Sequence, residues 1–247
     1  VALQGLPVRF CMDRAGLVGG DGAVHHGFMD VAMLRSLPGI TLMAAMDEAN
    51  LKAALEFMRT HESGPSALRY PRDEVPEPAL SDEVPPFVPG RAHMLAEGKD
   101  AAILAYGFPA NNALVAREQL KERGYTVAVY DARFAKPVDL ELIGELVSQG
   151  IPILTVEDHH VMGGFGTCVL EACNEHGWAT QNLHRLGLPD AWIYQGGRGE
   201  QQRIAGIDAD GIARKVIEVL EAPGRAAATP IADRARPAAP LKRKLGA

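Results

Sequence analysis

Three short apolar runs lie in the first part of the chain, and each has the length of a buried strand. Between them, apolar side chains recur at helical rather than alternating spacing. The predicted strands are residues 7–12, 39–45 and 66–70. A helix is predicted at 28–37, and a second one begins after Asp47, whose carboxylate suits a helix N-cap. Strands that alternate with helices indicate a parallel sheet.

A second alternation of apolar runs and amphipathic stretches fills the later part of the chain. The predicted strands are residues 101–106, 126–130, 151–156 and 181–186. The predicted helices are residues 110–123, 140–148, 164–175 and 210–220. Gly124 and Gly150 fall where two of these helices end, as glycine does when the last residue turns left-handed. This pattern predicts a second α/β domain.

Between the two alternations lies a segment dense in proline and acidic residues, 73–90. Proline removes backbone donors and blocks helix, so we interpret the segment as an extended linker between domains 1–72 and 91–222. Residues 223–247 are rich in alanine, proline and arginine without an apolar period, and we expect a disordered tail there.

Composition excludes several classes of protein. The 247 residues are 47% hydrophobic and 23% charged, with a formal net charge of −6, so a soluble globular protein is expected, without nucleic-acid or membrane partners. The three cysteines have no spacing typical of a disulfide framework or zinc site, which favours a reducing, cytoplasmic compartment. Because the chain begins with Val1 and enters a strand almost at once, we expect it to be a fragment.

The first candidate site is the segment DRAGLVGGDGAVHHG at 13–27, a glycine-rich loop between a strand and a helix. Ligands of parallel sheets bind where strands end and helices begin, and glycines let the backbone approach them closely. Asp21 and His25 suit a carboxylate–imidazole pair for proton transfer near neutral pH. The segment fits equally well a mobile turn with two solvated histidines, and the residues alone leave both interpretations open.

The second candidate is GPSALRYPR at 64–72, which places Arg69 and Arg72 at the end of a predicted strand. The arginine fork matches the geometry of phosphate. An exposed charge pair beside an edge strand is the alternative. Arg14 in the glycine loop favours the functional interpretation, because several arginines that converge from separate loops are characteristic of an anion site.

Two later segments favour structural roles. EDHHVMGGFG at 157–166 lacks the lysine and hydroxyl residue of a P-loop, and its glycine spacing is not that of a dinucleotide site, so a structural turn or a domain contact is expected. The loop 187–197 contains Trp192 and Tyr194, which we expect to anchor it onto a core.

Taken together, these segments resemble one family, the 1-deoxy-D-xylulose-5-phosphate synthases. The family's glycine loop and its GPSA-x-RYPR stretch match 13–27 and 64–72, followed in order by ARFAKPVD, TVEDHHVMGGFG and GLPDAWIYQG. The resemblance covers about 7–220. It implies an α/β fold in which 1–72 is the C-terminal half of a transketolase-like pyrimidine-binding domain, with a parallel sheet, and 91–222 is a transketolase C-terminal domain.

The resemblance also implies an activity and roles for four residues. The family's enzymes join pyruvate to D-glyceraldehyde 3-phosphate, release carbon dioxide, use thiamine diphosphate and magnesium, and act as homodimers. Asp21 and His25 match the family's active-site pair, the first bound to the acceptor's hydroxyl and the second assisting proton movement. Arg14 and Arg72 match the arginines that grip the acceptor's phosphate.

The chain departs from the family pattern in two respects. Val24 stands where the family has a threonine before the histidine, and His26 follows it. The family's magnesium-binding Gly-Asp-Gly segment and the glutamate that activates the thiamine ring have no counterpart, so no cofactor or metal ligands are assigned in this chain and it is expected to be inactive alone. A fragment of a transketolase or of a 2-oxoacid dehydrogenase beta subunit, and a non-catalytic assembly module, remain alternatives.

Overall fold

The fold is built on two β-sheets. The structure, a computed structural model, describes residues 1–74 and 84–222. The strands of this part of the chain are β1 (Arg9–Met12), β2 (Thr41–Ala44), β3 (Ser66–Arg69), β4 (His93–Ala96), β5 (Ala101–Tyr106), β6 (Val127–Asp131), β7 (Phe134–Lys136), β8 (Ile153–His160) and β9 (Leu183–Leu188). The first sheet has the order β1-β3-β2-β7 and the second the order β4-β6-β5-β8-β9.

Seven α-helices in the described residues connect the strands. They are α1 (Asp30–Leu34), α2 (Glu48–Thr60), α3 (Pro109–Glu122), α4 (Leu140–Gln149), α5 (Phe165–Glu175), α6 (Arg198–Ala205) and α7 (Ala209–Leu220). The predicted cap of α2 is confirmed, since the Asp47 carboxylate accepts a hydrogen bond from the backbone N–H of Asn50 at 2.8 Å. Gly150 ends α4 in the left-handed region at φ 68°, as predicted.

The first sheet is parallel where the sequence predicts it, and it gains a fourth strand from the later part of the chain. β1 and β2 each pair with β3 in parallel. β7 then pairs antiparallel with β2. This strand was not predicted, because three residues are too few to show the alternation of apolar and polar side chains. Its pairing joins the two halves of the chain through backbone hydrogen bonds.

An aromatic cluster covers this junction. Phe134 of β7 is 1% exposed and packs edge-on against Phe57 of α2, with ring centroids 5.9 Å apart. Phe87, 4% exposed, packs beside Phe134 at 5.7 Å. Arg133 lies over the Phe87 ring at 4.5 Å and donates to the Pro85 carbonyl at 3.0 Å. The last part of the predicted linker 73–90 is therefore held against the fold, while its residues 75–83 lie outside the described ones.

The second sheet forms a three-layer α/β unit. β6, β5, β8 and β9 are parallel, and β4 adds an antiparallel edge strand that the sequence reasoning missed. Side chains of α3 and α7, among them Leu120 and Val216, pack with Ile103 of β5 in one core cluster. Side chains of α4 and α5, among them Leu146 and Val169, pack with Leu104 of β5 in another. These layers confirm the predicted α/β class.

Two further expectations concern the tail of the chain and membranes. The predicted tail, 223–247, lies outside them. Within them, the helices are all too short or too polar to cross a bilayer.

Candidate active site

Two segments that carry candidate residues meet at the carboxyl ends of neighbouring parallel strands. The glycine loop follows β1, and Tyr70 to Asp73 follow β3, which pairs with β1. The backbone N–H of Ala15 donates to the Tyr70 carbonyl at 3.0 Å and ties the two segments together just beyond the sheet. This pairing brings Arg14 and Arg72 to the same edge, where ligands of parallel sheets bind.

The carboxylate of Asp21 lies between these two arginines. Its Oδ2 atom is 3.6 Å from Nε of Arg14 and 3.5 Å from Nε of Arg72. Both distances exceed that of a hydrogen bond, so the three groups form a loose ion cluster. The arginine side chains are 44% and 55% exposed. Solvent screening makes such contacts weak, so an incoming anion can displace them.

His25 does not form the predicted carboxylate–imidazole pair. Its Nδ1 atom lies 2.9 Å from the main-chain carbonyl oxygen of Asp21, not from the carboxylate. The reason is local: two consecutive 3₁₀ turns, Gly19–Asp21 and Ala23–His25, place the ring over that carbonyl. The Asp21 carboxylate is turned toward the arginines instead. Asp21 and His25 are therefore neighbours through the backbone, and the ring of His25 is exposed.

Glycine is required at both ends of the loop. Gly16 and Gly27 exchange two backbone hydrogen bonds, at 2.8 and 2.9 Å, and so close the loop. Gly16 has φ 70°, and a Cβ atom there would lie 2.3 Å from Oδ2 of Asp158. A Cβ atom on Gly27 would lie 2.4 Å from the Arg14 carbonyl oxygen. Only glycine permits these approaches.

Arg69 does not face the site, which corrects the suggestion that it joins Arg72 as an anion ligand. Its side chain is 2% exposed, and it donates to Asp30 at 2.8 Å, Asp158 at 2.6 Å and the Gly27 carbonyl at 3.1 Å. Burial lowers its pKa, but the two carboxylates outweigh burial and hold the pKa above its usual value. Arg69 thus acts as a buried cation that holds the end of the loop.

The predicted structural role of 157–166 agrees with the packing. Both Glu157 oxygens accept backbone hydrogen bonds at the start of α5, from Phe165 at 2.6 Å and Gly166 at 2.8 Å. His159 is fully buried, its Nδ1 bonded to the His160 carbonyl at 2.8 Å. Burial, with the charge of Arg69, lowers the pKa of His159 to about 4.

The loop 187–197 is anchored differently from the prediction. Trp192 and Tyr194 are 63% and 75% exposed, whereas Ile193 between them is 5% exposed and supplies the apolar anchor. Alternate residues of an extended segment point to opposite sides, so burying Ile193 turns both aromatic rings outward. The rings of Trp192 and Phe28 pack nearly at right angles with their centroids 5.8 Å apart, and both line a cavity of about 200 Å³.

His26 holds this second loop to the first. Its Nδ1 accepts the backbone N–H of Val18 at 3.2 Å, and its Nε2 lies 3.0 Å from the Ile193 carbonyl. A neutral ring protonated on Nε2 satisfies both contacts. Val24, at the position where the resembled family has a threonine, is 88% exposed.

Comparison with known proteins identifies the fold and its relatives. The family described as "Transketolase, pyrimidine binding domain" matches residues 1–78, and "Transketolase, C-terminal domain" matches residues 90–212. A solved split-gene transketolase, titled an inactive beta4 tetramer, superposes with a TM-score of 0.78 at 30% identity, covering 88% of this chain and 68% of that one. The chain belongs to the transketolase family.

Within that family, the chain is similar to 1-deoxy-D-xylulose-5-phosphate synthases, as the motifs indicate. It is 42% identical to such a synthase from Geobacter sulfurreducens over 91% of its length, and 44% identical to one from Thermomicrobium roseum over 95%. These alignments cover 35% and 37% of the relatives, so the chain spans about a third of the length of the curated proteins it matches. The resemblance to the C-terminal part of these synthases is confirmed.

The side chains of the described residues do not form a site for thiamine diphosphate. The family pattern requires metal ligands for the diphosphate and a free carboxylate for the aminopyrimidine ring. The described residues contain no cluster of three or more metal-ligating side chains. The buried Glu157 and Asp158 are bonded to the backbone of α5 and to Arg69. Both carboxylates therefore already have partners in the fold, and neither is free to bind the aminopyrimidine ring.

Two residues of this chain that touch the site loop were not found from the sequence. Arg198 and Gln201 lie on α6, and both contact the backbone of the glycine loop. The helix was not predicted, because its exposed face carries Ile204 and it has little apolar periodicity. No motif in the sequence marks either residue.

Proposed function

We propose that this chain forms the acceptor side of a 1-deoxy-D-xylulose-5-phosphate synthase active site. In the complete enzyme, pyruvate and D-glyceraldehyde 3-phosphate would give 1-deoxy-D-xylulose 5-phosphate and carbon dioxide, with thiamine diphosphate and magnesium supplying the carbanion chemistry. The enzyme would be a cytoplasmic homodimer. The observation that carries the proposal is the convergence of Arg14 and Arg72, from neighbouring strands, on one carboxylate oxygen.

Each residue of this cluster has a distinct proposed part. Arg14 and Arg72 bind the acceptor's phosphate, because guanidinium forks pair with its oxygens and two of them are better than one. Asp21 accepts a hydrogen bond from the acceptor's hydroxyl once the phosphate has drawn the arginines away. His25, exposed beside Asp21, moves a proton at the reacting carbons.

The proposal also implies that the isolated chain lacks catalytic activity. Because the described residues do not fit thiamine diphosphate, we propose that the 247-residue chain has no turnover alone. The purified chain would be given thiamine diphosphate, magnesium, pyruvate and glyceraldehyde 3-phosphate. Product above the enzyme-free blank would overturn this part of the proposal.

Phosphate binding tests the site directly, without turnover. Inorganic phosphate and glycerol 3-phosphate are titrated into the full chain by calorimetry, alongside Arg72→Ala and, as a matched control, Arg123→Ala at the exposed end of α3. Losing one charge-assisted contact should weaken binding about ten- to a hundredfold in Arg72→Ala. Arg123→Ala should bind like the unaltered chain. Equal binding by both variants would remove Arg72 from the phosphate site.

The curated relatives favour this proposal over the alternatives within the fold. Eight curated relatives that are 39–44% identical to the chain are all named 1-deoxy-D-xylulose-5-phosphate synthases. The split-gene transketolase is less similar, at 30% identity. In the complete enzyme, preference for pyruvate as donor would separate a synthase from a transketolase.

A further inference from the structure

The first turn of α6 contacts both segments that carry the arginine pair. Arg198 donates from Nε to the Leu17 carbonyl at 3.0 Å and from Nη1 to the Asp73 carboxylate at 2.6 Å. Leu17 belongs to the loop of Arg14, and Asp73 directly follows Arg72. One guanidinium from the C-terminal domain thus bridges the two segments at the carboxyl ends of β1 and β3.

The guanidinium of Arg198 is held in a fixed orientation. Its side chain is 9% exposed, and its plane lies over the ring of Phe108 at 4.0 Å. The Nη2 atom lies 3.9 Å from Oδ2 of Asp158, a residue that is 2% exposed. The bridge uses Nε and Nη1, two donors that the planar guanidinium holds at a fixed separation, and a lysine ammonium does not reproduce that geometry.

Gln201, one turn further along α6, holds the start of the turn that carries Asp21. Its Oε1 accepts the backbone N–H of Gly19 at 2.9 Å, and its Nε2 donates to the Gly19 carbonyl at 3.1 Å and the Tyr194 carbonyl at 2.9 Å. The side chain is 1% exposed. The side-chain amide of Gln201 therefore binds both the backbone N–H and the carbonyl of Gly19. Gly19 is the first residue of the 3₁₀ turn that ends at Asp21.

We propose that Arg198 and Gln201 are positioning residues for the phosphate site, a role that rests on the proposed function. They fix the backbone of the Arg14 loop and the segment after Arg72 to one rigid helix of the C-terminal domain. The spacing of the two arginines is then set before any ligand arrives. Arg198 also neutralises Asp73, which would otherwise compete with phosphate for the neighbouring Arg72.

The test compares variants of the full chain by two measurements. The variants are Arg198→Ala, Arg198→Lys and Gln201→Ala, with Arg203→Ala as the matched control, because Arg203 is an exposed arginine on the same helix. The first measurement is calorimetric titration with inorganic phosphate. The second is hydrogen exchange of the amides of residues 17–21, with β5 and β8 as a check that the fold is intact.

Arg198→Ala and Gln201→Ala should bind phosphate about tenfold more weakly, because a displaced Arg14 or Arg72 no longer makes its full charge-assisted contact with the anion. Exchange at 17–21 should quicken while β5 and β8 stay protected. Arg198→Lys should recover part of the binding, because it keeps the charge beside Asp73 and loses one contact. Arg203→Ala should match the unaltered chain in both measurements.

The outcomes that overturn the inference are distinct from those that overturn the proposed function. If the unaltered chain binds no phosphate, the phosphate site fails and the positioning role fails with it. If the unaltered chain binds phosphate and Arg72→Ala does not, but Arg198→Ala and Gln201→Ala bind normally, the positioning role alone is wrong. If Arg198→Ala loses binding and the protection of β5 and β8 together, Arg198→Lys decides: a folded Arg198→Lys chain that binds phosphate as tightly as Arg203→Ala would also reject the role.

Discussion

Nε of Arg72 lies 3.5 Å from Oδ2 of Asp21, and Nε of Arg14 reaches the same oxygen at 3.6 Å. A single carboxylate is therefore shared by two exposed cations from different segments of the chain, and Arg14 also pairs with the carboxylate of Asp13. A phosphate group carries more charge and more acceptor oxygens than a carboxylate, so it should compete well for the pair. In the proposed function, the Asp21 carboxylate lies where it competes with the acceptor's phosphate for both arginines.

Replacing Asp21 should therefore have opposite effects on binding and turnover. Asp21→Asn removes the competing charge and keeps the shape of the side chain, so inorganic phosphate should bind a few-fold more tightly. In the complete enzyme, turnover should fall, because the amide is a poorer acceptor for the substrate's hydroxyl. Calorimetry on the full chain and steady-state kinetics on the complete enzyme measure the two effects. Weaker phosphate binding by Asp21→Asn would contradict the competition.

His25→Ala should lower kcat in the complete enzyme more than it raises either KM. General acid–base assistance contributes about 10²–10⁴-fold to the rate, and within the described part of the chain the exposed ring is held by a single hydrogen bond, to the Asp21 carbonyl. His26→Ala provides a contrast, because His26 joins two loops and its loss should instead disturb binding. Unchanged turnover in His25→Ala would return His25 to the role of a solvated loop residue.

Gly16→Ala should destabilise the fold, whereas Gly20→Ala in the same loop should not. At Gly16 a Cβ atom would meet Asp158 at 2.3 Å with φ at 70°, and the cost should be about 2 kcal/mol in the free energy of unfolding. Gly20 has no positive φ and open space around its Cβ direction. Urea unfolding of both variants measures the difference. Equal midpoints would mean that the loop shifts freely away from Asp158.

His159 should remain neutral in the folded chain where an ordinary histidine takes up a proton. Burial, then Arg69, lowers its pKa from 6.5 to about 4. Between these values the unfolded chain binds the proton and the folded chain does not. This residue's contribution to the free energy of unfolding is therefore complete above the unfolded pKa and falls with decreasing pH, by at most about 1.4 kcal/mol per pH unit.

An NMR titration of the imidazole carbons measures that pKa directly. Urea unfolding at several pH values, with His159→Gln as the comparison, measures its effect on stability. The variant should lose the part of the pH dependence that lies between the two pKa values. A folded-state midpoint for His159 near its ordinary value would contradict the prediction.

Local signals in the sequence were sufficient for most helices and central strands. Asp47 caps α2 through a contact within three residues, and Gly150 ends α4 through its own φ angle. The apolar run of β5 predicts a strand buried on both faces, and every residue of β5 is buried. These features depend on neighbours in the chain, so the order of residues is enough to specify them.

The motifs likewise named Arg14, Asp21, His25 and Arg72 as candidates, but the tertiary structure decided how they meet. Arg14 and Arg72 converge because β1 and β3 are adjacent and parallel, and strand order is a property of the whole sheet. Arg69 is the last residue of β3 and is buried, whereas Arg72 lies three residues beyond it and is exposed. Residue type alone does not distinguish these two environments.

By itself the sequence determined the α/β class, the caps and turns, and the family to which the chain belongs. The tertiary structure alone decided the pairing of β7 with β2, the turn of the Asp21 carboxylate toward two arginines, and the grip of Arg198 and Gln201 on the site loop. Contacts of this kind join residues far apart in the chain. Their free energy depends on the packing that brings them together, and no local pattern encodes that packing.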